Sequence, residues 1–287
     1  MASSTRSKPA RRGAYLLPSF FTIANIFCGY FALMETFKAG QLLIVDLGLA
    51  GVHFDYAARA IGFAVLFDAL DGRLARLMGT TSAFGVQLDS LADLVSFGIA
   101  PAFLAFGWGV HAVLPMPNGG WVDHLAAAGW LVGFLFVICG AARLARFNIQ
   151  SGTSPAHPQR PEHRHFIGLP IPAAAGLVAA IVHVNSGRPV EQWLWVPFWL
   201  LVLLGSSLLM ISTWRYYSFK DLDLRRRRKF VVVIGVATMV GLIWFYSHAV
   251  LLVIATGYVL SGIVAKLSQA LNRRHVEARA EAEEEKV

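Results

Sequence analysis

Apolar runs close to bilayer length recur along this sequence, and they restrict the fold before any motif is considered. A helix needs about 20 predominantly apolar residues to cross the hydrocarbon core. Backbone amides that enter lipid must be satisfied within their own segment, so such runs fold as helices. Eight spans are expected, at about 17–37, 54–78, 84–108, 124–147, 168–185, 193–213, 230–246 and 249–269. Composition agrees: 56% of the residues are hydrophobic and 15% are charged, against roughly 25% charged in soluble domains. The expected fold is an all-α polytopic transmembrane bundle with no separate soluble domain.

Charge divides the chain further. A basic N-terminal segment (1–16) precedes a six-span unit (17–213). A basic loop (214–229), two additional spans (230–270) and a charged tail (271–287) follow. Pro18 suits a helix start, and the run before it leads into a retained first span rather than a removable signal. The segment Leu114 to Gly120 carries turn chemistry, and Ser151 to Pro161 is a polar loop with three prolines. Between the last two spans only Ser247 and His248 can serve as a turn. A tight hairpin, one long helix and a re-entrant pair all fit there. No internal repeat is seen.

Lys and Arg set the orientation. With both termini cytoplasmic, the inside segments hold Arg6, Lys8, Arg11, Arg12, Arg160, Arg164, Arg215, Lys220, Arg225 to Arg228, Lys229, Arg273, Arg274, Arg279 and Lys286. Lys266 can snorkel to the same side. The outside loops hold only Lys38 and Arg188. This asymmetry accounts for the net charge of +8 without a nucleic-acid partner. It predicts a multi-pass protein of the inner (cytoplasmic) membrane whose Arg225 to Lys229 run meets anionic lipids. Cys28 and Cys139 lie in apolar runs as small buried side chains, with neither disulfide nor zinc spacing.

Charged residues inside spans are costly and mark function. Asp68 and Asp71 are three apart on the second span, and Asp89 and Asp93 are four apart on the third. Each spacing puts its pair on one helix face. The short turn between the spans makes them antiparallel neighbours, so the two faces can meet near the cytoplasmic end. Four carboxylates repel one another unless a cation sits among them, and Arg73 and Arg76 are too few to neutralise them. Hard oxygen ligands suit Mg2+, Mn2+ or Ca2+. Such an ion can hold a substrate's phosphates. Gly72 and Gly85 would admit a ligand close to the backbone, and Arg76 could reach a phosphate. A cation transporter is the competing reading, but transporters place such groups near the midplane and these lie near one end.

Asp68, Asp71, Gly72, Ala75, Arg76, Gly85, Asp89 and Asp93 match D-x2-D-G-x2-A-R-x8-G-x3-D-x3-D, and on them the chain resembles the CDP-alcohol phosphatidyltransferases. Further stretches are similar to the serine-specific bacterial enzymes of that family. These are LPSFFTIANIFCGY (Leu17 to Tyr30), DSLADLVSFGIAPA (Asp89 to Ala102), CGAARLARFN (Cys139 to Asn148) and FIGLPIPAAAG (Phe166 to Gly176). The resemblance makes 17–213 the catalytic core. It implies transfer of the phosphatidyl group from CDP-diacylglycerol to the hydroxyl of L-serine, giving phosphatidylserine and CMP. Glycerol phosphate, inositol phosphate and choline stay open as acceptors.

By the same resemblance Asp68, Asp71 and Asp89 are metal ligands, and Asp93 is a ligand and the general base. Gly72, Ala75, Arg76, Gly85 and Asn25 belong to the CDP-diacylglycerol site, and the enzyme is a homodimer. Arg143 and Arg146, three apart at the end of the fourth span, would grip the lipid phosphate or the serine carboxylate. Asn148 and Ser96 are further candidates near the substrate. His163, Arg164 and His165 read as a solvated loop. Gly168, Pro170 and Pro172 read as a broken helix start, and Asp55 with Arg59 as an interfacial pair.

Overall fold

The computed structural model describes residues 16–78, 83–113, 120–152, 165–217, 241–243 and 245–266, with the single positions 238 and 268. The first two helices, α1 (Leu16–Leu42) and α2 (Leu47–Met78), form a long antiparallel pair. Asp46 caps α2, its Oδ1 accepting the Leu49 N–H at 2.9 Å. Small side chains let the two helices approach closely: Ala32, Ala39, Ala50, Ala57 and Ala64 are fully buried.

The third span is a composite. It runs from α3 (Ala83–Asp93) through a π-helical turn (Leu94–Ile99) into α4 (Ala100–Gly109). The Ala100 N–H reaches back five residues to the Val95 carbonyl. Pro101 follows in the first turn of α4 and has no N–H to donate. α1 presses against this turn: a Cβ at Gly29 would lie 2.8 Å from the Ser96 Cα. The Ser96 hydroxyl donates to the Asn25 carbonyl at 2.8 Å.

Next come α5 (Gly120–Gly152), α6 (Ile171–Val184), α7 (Val196–Ile211) and α8 (Phe245–Lys266). The start of α6 is broken, as expected. Pro170 precedes its first residue, Pro172 occupies its first turn, and Gly168 takes φ +79. Gly168 N–H donates to the Trp214 carbonyl at 2.8 Å, and Leu169 N–H to that of Leu209 at 2.9 Å. The short strands β1 (His165–Ile167) and β2 (Arg215–Tyr217) pair antiparallel, with Phe166 opposite Tyr216. This strap ties the entry of α6 to the exit of α7 at the end that bears the aspartates. Among the described residues the remaining secondary structure is helical.

Six helices are long and apolar enough to cross a membrane: Phe20–Leu42, Leu47–Leu74, Phe84–Val113, Asp123–Ile149, Trp193–Ile211 and Phe245–Lys266. Outward-facing Phe27, Trp130, Leu201 and Val253 are each more than half exposed, a surface suited to lipid. The expected span at 168–185 appears as a 14-residue helix. The one at 230–246 falls almost wholly outside the described residues.

Of the arrangements that fit at Ser247–His248, a turn at those two residues does not form, because both lie within α8. Their polar groups are satisfied by tertiary partners. Ser247 Oγ lies 3.0 Å from His183 Nε2, and His248 Nδ1 lies 2.7 Å from the His183 carbonyl. Asp55 and Arg59 do pair, at 2.5 Å, but Asp55 is buried and also meets His183 Nδ1 at 2.5 Å.

Candidate functional site

Asp68 on α2 meets Asp89 and Asp93 on α3, with one carboxylate oxygen from each lying within 4.8 Å of the others. Helical spacing turns Asp89 and Asp93 to one face, and the antiparallel packing of α2 brings Asp68 opposite. At that separation each pair of negative charges repels by about 3 kcal/mol at an effective dielectric of about 20. Among the described residues the ion pairs are at Glu35 and Asp55, and neither Asp89 nor Asp93 takes part in one. Three converging carboxylates fit a hard divalent cation.

Asp71 stands slightly apart from this trio. It is buried and accepts a hydrogen bond from Thr22 Oγ1 at 2.5 Å. One helical turn on, Asn25 donates from Nδ2 to Asp93 Oδ1 at 3.2 Å. α1 therefore supplies a Thr22–Asn25 pair that grips one aspartate on each facing helix. Asn25 was expected from the sequence, but Thr22 was not. Its only sequence signal is a hydroxyl three residues before Asn25 in an apolar helix.

The other expected residues fall into distinct places. A Cβ at Gly72 would meet nothing within 4 Å, so open space adjoins the aspartates there. Ala75 and Arg76 lie in α2 with side chains outside the described set, and His163 and Arg164 lie outside the described residues. Gly85 is in the first turn of α3, two residues after its start. Arg143 on α5 is within electrostatic range of both Asp93 and Tyr258, and its Nε is buried without a hydrogen-bond partner. Arg146 is exposed. Asn148 donates to Ser90 Oγ at 2.8 Å, tying α5 to α3 beside Asp89. Ser96, fully buried, faces α1 rather than an open pocket.

A cleft of about 360 Å³ opens between α3 and α5, lined by Gln87, Ser90, Leu94, Leu144 and Asn148 among others. No aspartate lines it, and it occupies a different face of α3 from the carboxylates.

The family model described as CDP-alcohol phosphatidyltransferase matches residues 15–205, and the chain belongs to that family. Among its relatives is a Helicobacter pylori (strain ATCC 700392 / 26695) protein named CDP-diacylglycerol--serine O-phosphatidyltransferase. It is 38% identical over 212 residues, covering 72% of this chain and 73% of its own. A Mycobacterium tuberculosis (strain ATCC 25618 / H37Rv) protein of the same name is 33% identical, covering 70% of this chain and 62% of its own. One from Saccharomyces cerevisiae, again so named, is 34% identical, with 63% and 58% covered. Enzymes of this family move a phosphatidyl group to an alcohol with the help of a divalent metal, and the trio of aspartates has the donor chemistry for one.

Proposed function

We propose that this chain transfers the phosphatidyl group of CDP-diacylglycerol to the hydroxyl of L-serine, releasing CMP. The observation that carries this reading is the convergence of Asp68, Asp89 and Asp93 in a chain whose relatives bear the serine transferase name. Asp68, Asp71, Asp89 and Asp93 are the proposed ligands of Mg2+ or Mn2+. When bound, the metal would neutralise the diphosphate and the charge that develops as CMP departs.

Asp93 is the proposed base. It takes the serine hydroxyl proton as the serine oxygen bonds to the phosphorus that carries diacylglycerol. The bond from that phosphorus to the bridging oxygen breaks, and CMP leaves with that oxygen. Asn25 holds the Asp93 carboxylate in one orientation for this transfer. The open space beside Gly72 suits the nucleotide, with Ala75, Arg76 and Gly85 as its proposed neighbours. Arg143 and Arg146 are proposed for the anionic groups of lipid phosphate or serine. Ser96 and Asn148 act by fixing α1 and α5 against the third span.

We place the aspartates at the cytoplasmic face of the inner membrane. Lys38 and Arg188, the only basic residues of the outside loops, support this by lying at the opposite end of the bundle. A homodimer, and contact of the 225–229 run with anionic lipid, belong to the same proposal through the family resemblance.

Purified protein given CDP-diacylglycerol, Mn2+ or Mg2+, and a panel of alcohols tests the reading. CMP release with serine is expected. Release with glycerol phosphate, inositol phosphate or choline but not with serine would reject it.

A further inference from the structure

Two histidine rings meet at the end of the bundle away from the aspartates. His183 lies in the last turn of α6 and is buried, and His248 lies on α8 and is exposed. The rings stack with centroids 4.2 Å apart and planes 12° apart. Their partners fix where the hydrogens sit. His183 Nδ1 faces Asp55 Oδ1 at 2.5 Å, and His248 Nδ1 faces the His183 carbonyl at 2.7 Å. The carboxylate, which also pairs with Arg59, and the carbonyl can only accept, so each Nδ1 carries a hydrogen. A further proton therefore goes to Nε2 on either ring.

The two Nε2 atoms are not equivalent. That of His183 lies 3.0 Å from Ser247 Oγ, a hydroxyl that donates to a neutral ring and accepts from a charged one. Asp55 and the end of α6 both favour a cation there. His183 can thus be charged with no bond lost. Charging His248 as well puts two cations face to face at 4.2 Å, where like charges repel strongly.

Counter-charge is short at this place. α2 offers Asp55, already paired with Arg59. The loop after α6 carries Arg188 and Glu191, both exposed and neither in an ion pair among the described residues. α7 has no charged residue, and within a turn of His248 α8 brings Tyr246 but no charge. On α1, Glu35 is bonded to Lys38 and to His53 of α2. The element able to yield is α8. Asp55 is clamped from the other side, because Gly187 takes φ +68 and a Cβ there would lie 2.6 Å from the Asp55 N. In α8 11% of the spanning residues are buried, against 33–56% in the other spanning helices.

We propose that His183 and His248 form an acid-sensitive latch, which holds α8 while at most one ring is charged and loosens it when both are. The latch does not depend on which alcohol is the acceptor. Its effect reaches the other end of α8. Fourteen residues beyond His248, about 21 Å along a helix, a Cβ at Gly262 would lie 2.8 Å from Tyr216 Cδ1. The strand β2 therefore rests on the α8 backbone, and a loosened α8 withdraws that support from the strap.

The test is hydrogen exchange read by mass spectrometry on the full-length protein in detergent, from about pH 8 to about pH 5, the range in which histidine changes charge. With rates corrected for intrinsic exchange, amides of 245–252 should lose protection about tenfold or more on acidification, and those of β2 should follow. His248→Gln and His248→Asn keep a donor for the His183 carbonyl and cannot become charged, so α8 should stay protected throughout. His248→Lys is charged throughout and needs only His183 to take a proton, so it should open at a higher pH than wild type. Wild-type protection that does not change with pH overturns the latch. An equal loss in the two neutral variants, or a His248→Lys profile that matches wild type, overturns it too. Loss in α8 with full protection kept at β2 overturns the link to the strap.

Discussion

Asn25 Nδ2 donates to Asp93 Oδ1 across 3.2 Å, joining α1 to the last residue of α3. Asp93 is immediately followed by the π-helical turn, where the Ser96 hydroxyl returns to the carbonyl of the same Asn25. One residue of α1 thus holds the carboxylate through its side chain and the turn below it through its backbone. Widened turns of this kind recur at functional sites. Asn25→Ala should remove the orientation of Asp93 while leaving the backbone anchor in place. The expected outcome is a fall in kcat of about 10- to 100-fold, the range typical of groups that orient metal ligands. Steady-state CMP release checks it, and Mn2+ affinity followed alongside should change less than kcat.

Thr22 and Asp71 make a second such pair at 2.5 Å. Both are buried, so removing the donor leaves a carboxylate oxygen without its partner, at about 1–3 kcal/mol. Thr22→Val keeps the shape and deletes the hydroxyl. It should weaken CDP-diacylglycerol binding several-fold and lower thermal stability, whereas Thr22→Ser should restore both. Equal behaviour of Thr22→Val and wild type would show that Asp71 needs no help from α1.

Asp68, Asp89 and Asp93 should be interdependent. Their oxygens share a space less than 5 Å across, and a cation bound among them would ease the repulsion. Chelation by EDTA should abolish CMP release, and added Mn2+ or Mg2+ should restore it. Asp68→Asn and Asp89→Asn should each lower Mn2+ affinity, read by electron paramagnetic resonance, and lower turnover by about 100-fold or more. In the apo protein Asp89→Asn should raise the melting temperature, because it removes one of three crowded negative charges. Asp93→Asn should abolish turnover while leaving CDP-diacylglycerol binding measurable.

The three aspartates were legible in the sequence because helical spacing is strict and a carboxylate in an apolar run has few places to go. The helical spans were legible for the same reason of length. The π-helical turn was not. Nothing in Leu94–Ile99 differs in composition from ordinary helix, and the turn depends on the approach of Gly29 to Ser96 and on Pro101 beyond it. Thr22 was missed because a threonine in a membrane helix ordinarily bonds its own preceding turn, as Thr36 does with the Ala32 carbonyl. At Ser247 and His248 a turn and an unbroken helix both fit the sequence, because two adjacent polar residues interrupt an apolar run. What they bond to is more than sixty residues away in the chain, so spacing could not reveal that the helix continues.

That distant partnership makes the final prediction. Asp55 Oδ1 meets His183 Nδ1 at 2.5 Å, His183 Nε2 meets Ser247 Oγ at 3.0 Å, and Arg59 pairs with the other Asp55 oxygen. The His248 ring stacks on that of His183 with centroids 4.2 Å apart. Asp55 precedes Asp68 on α2 by thirteen residues, about 20 Å along a helix, so this cluster sits far from the carboxylate trio. It joins α2, α6 and α8 through these side chains and through the His248 contact with the His183 carbonyl. His183→Ala would leave buried Asp55 with Arg59 as its remaining partner and remove the Ser247 contact and the ring stacking from α8. Breaking one member of a buried charged network costs about 3 kcal/mol or more, whereas Ser247→Ala should cost about 1 kcal/mol. A cycle of Asp55→Asn, His183→Ala and the double variant, followed by thermal unfolding in detergent, should show strong coupling between the two sites. Metal affinity should remain unchanged in all three. Additive losses would mean that Asp55 and His183 act independently, and that the polar chain does not work as one unit in attaching α8.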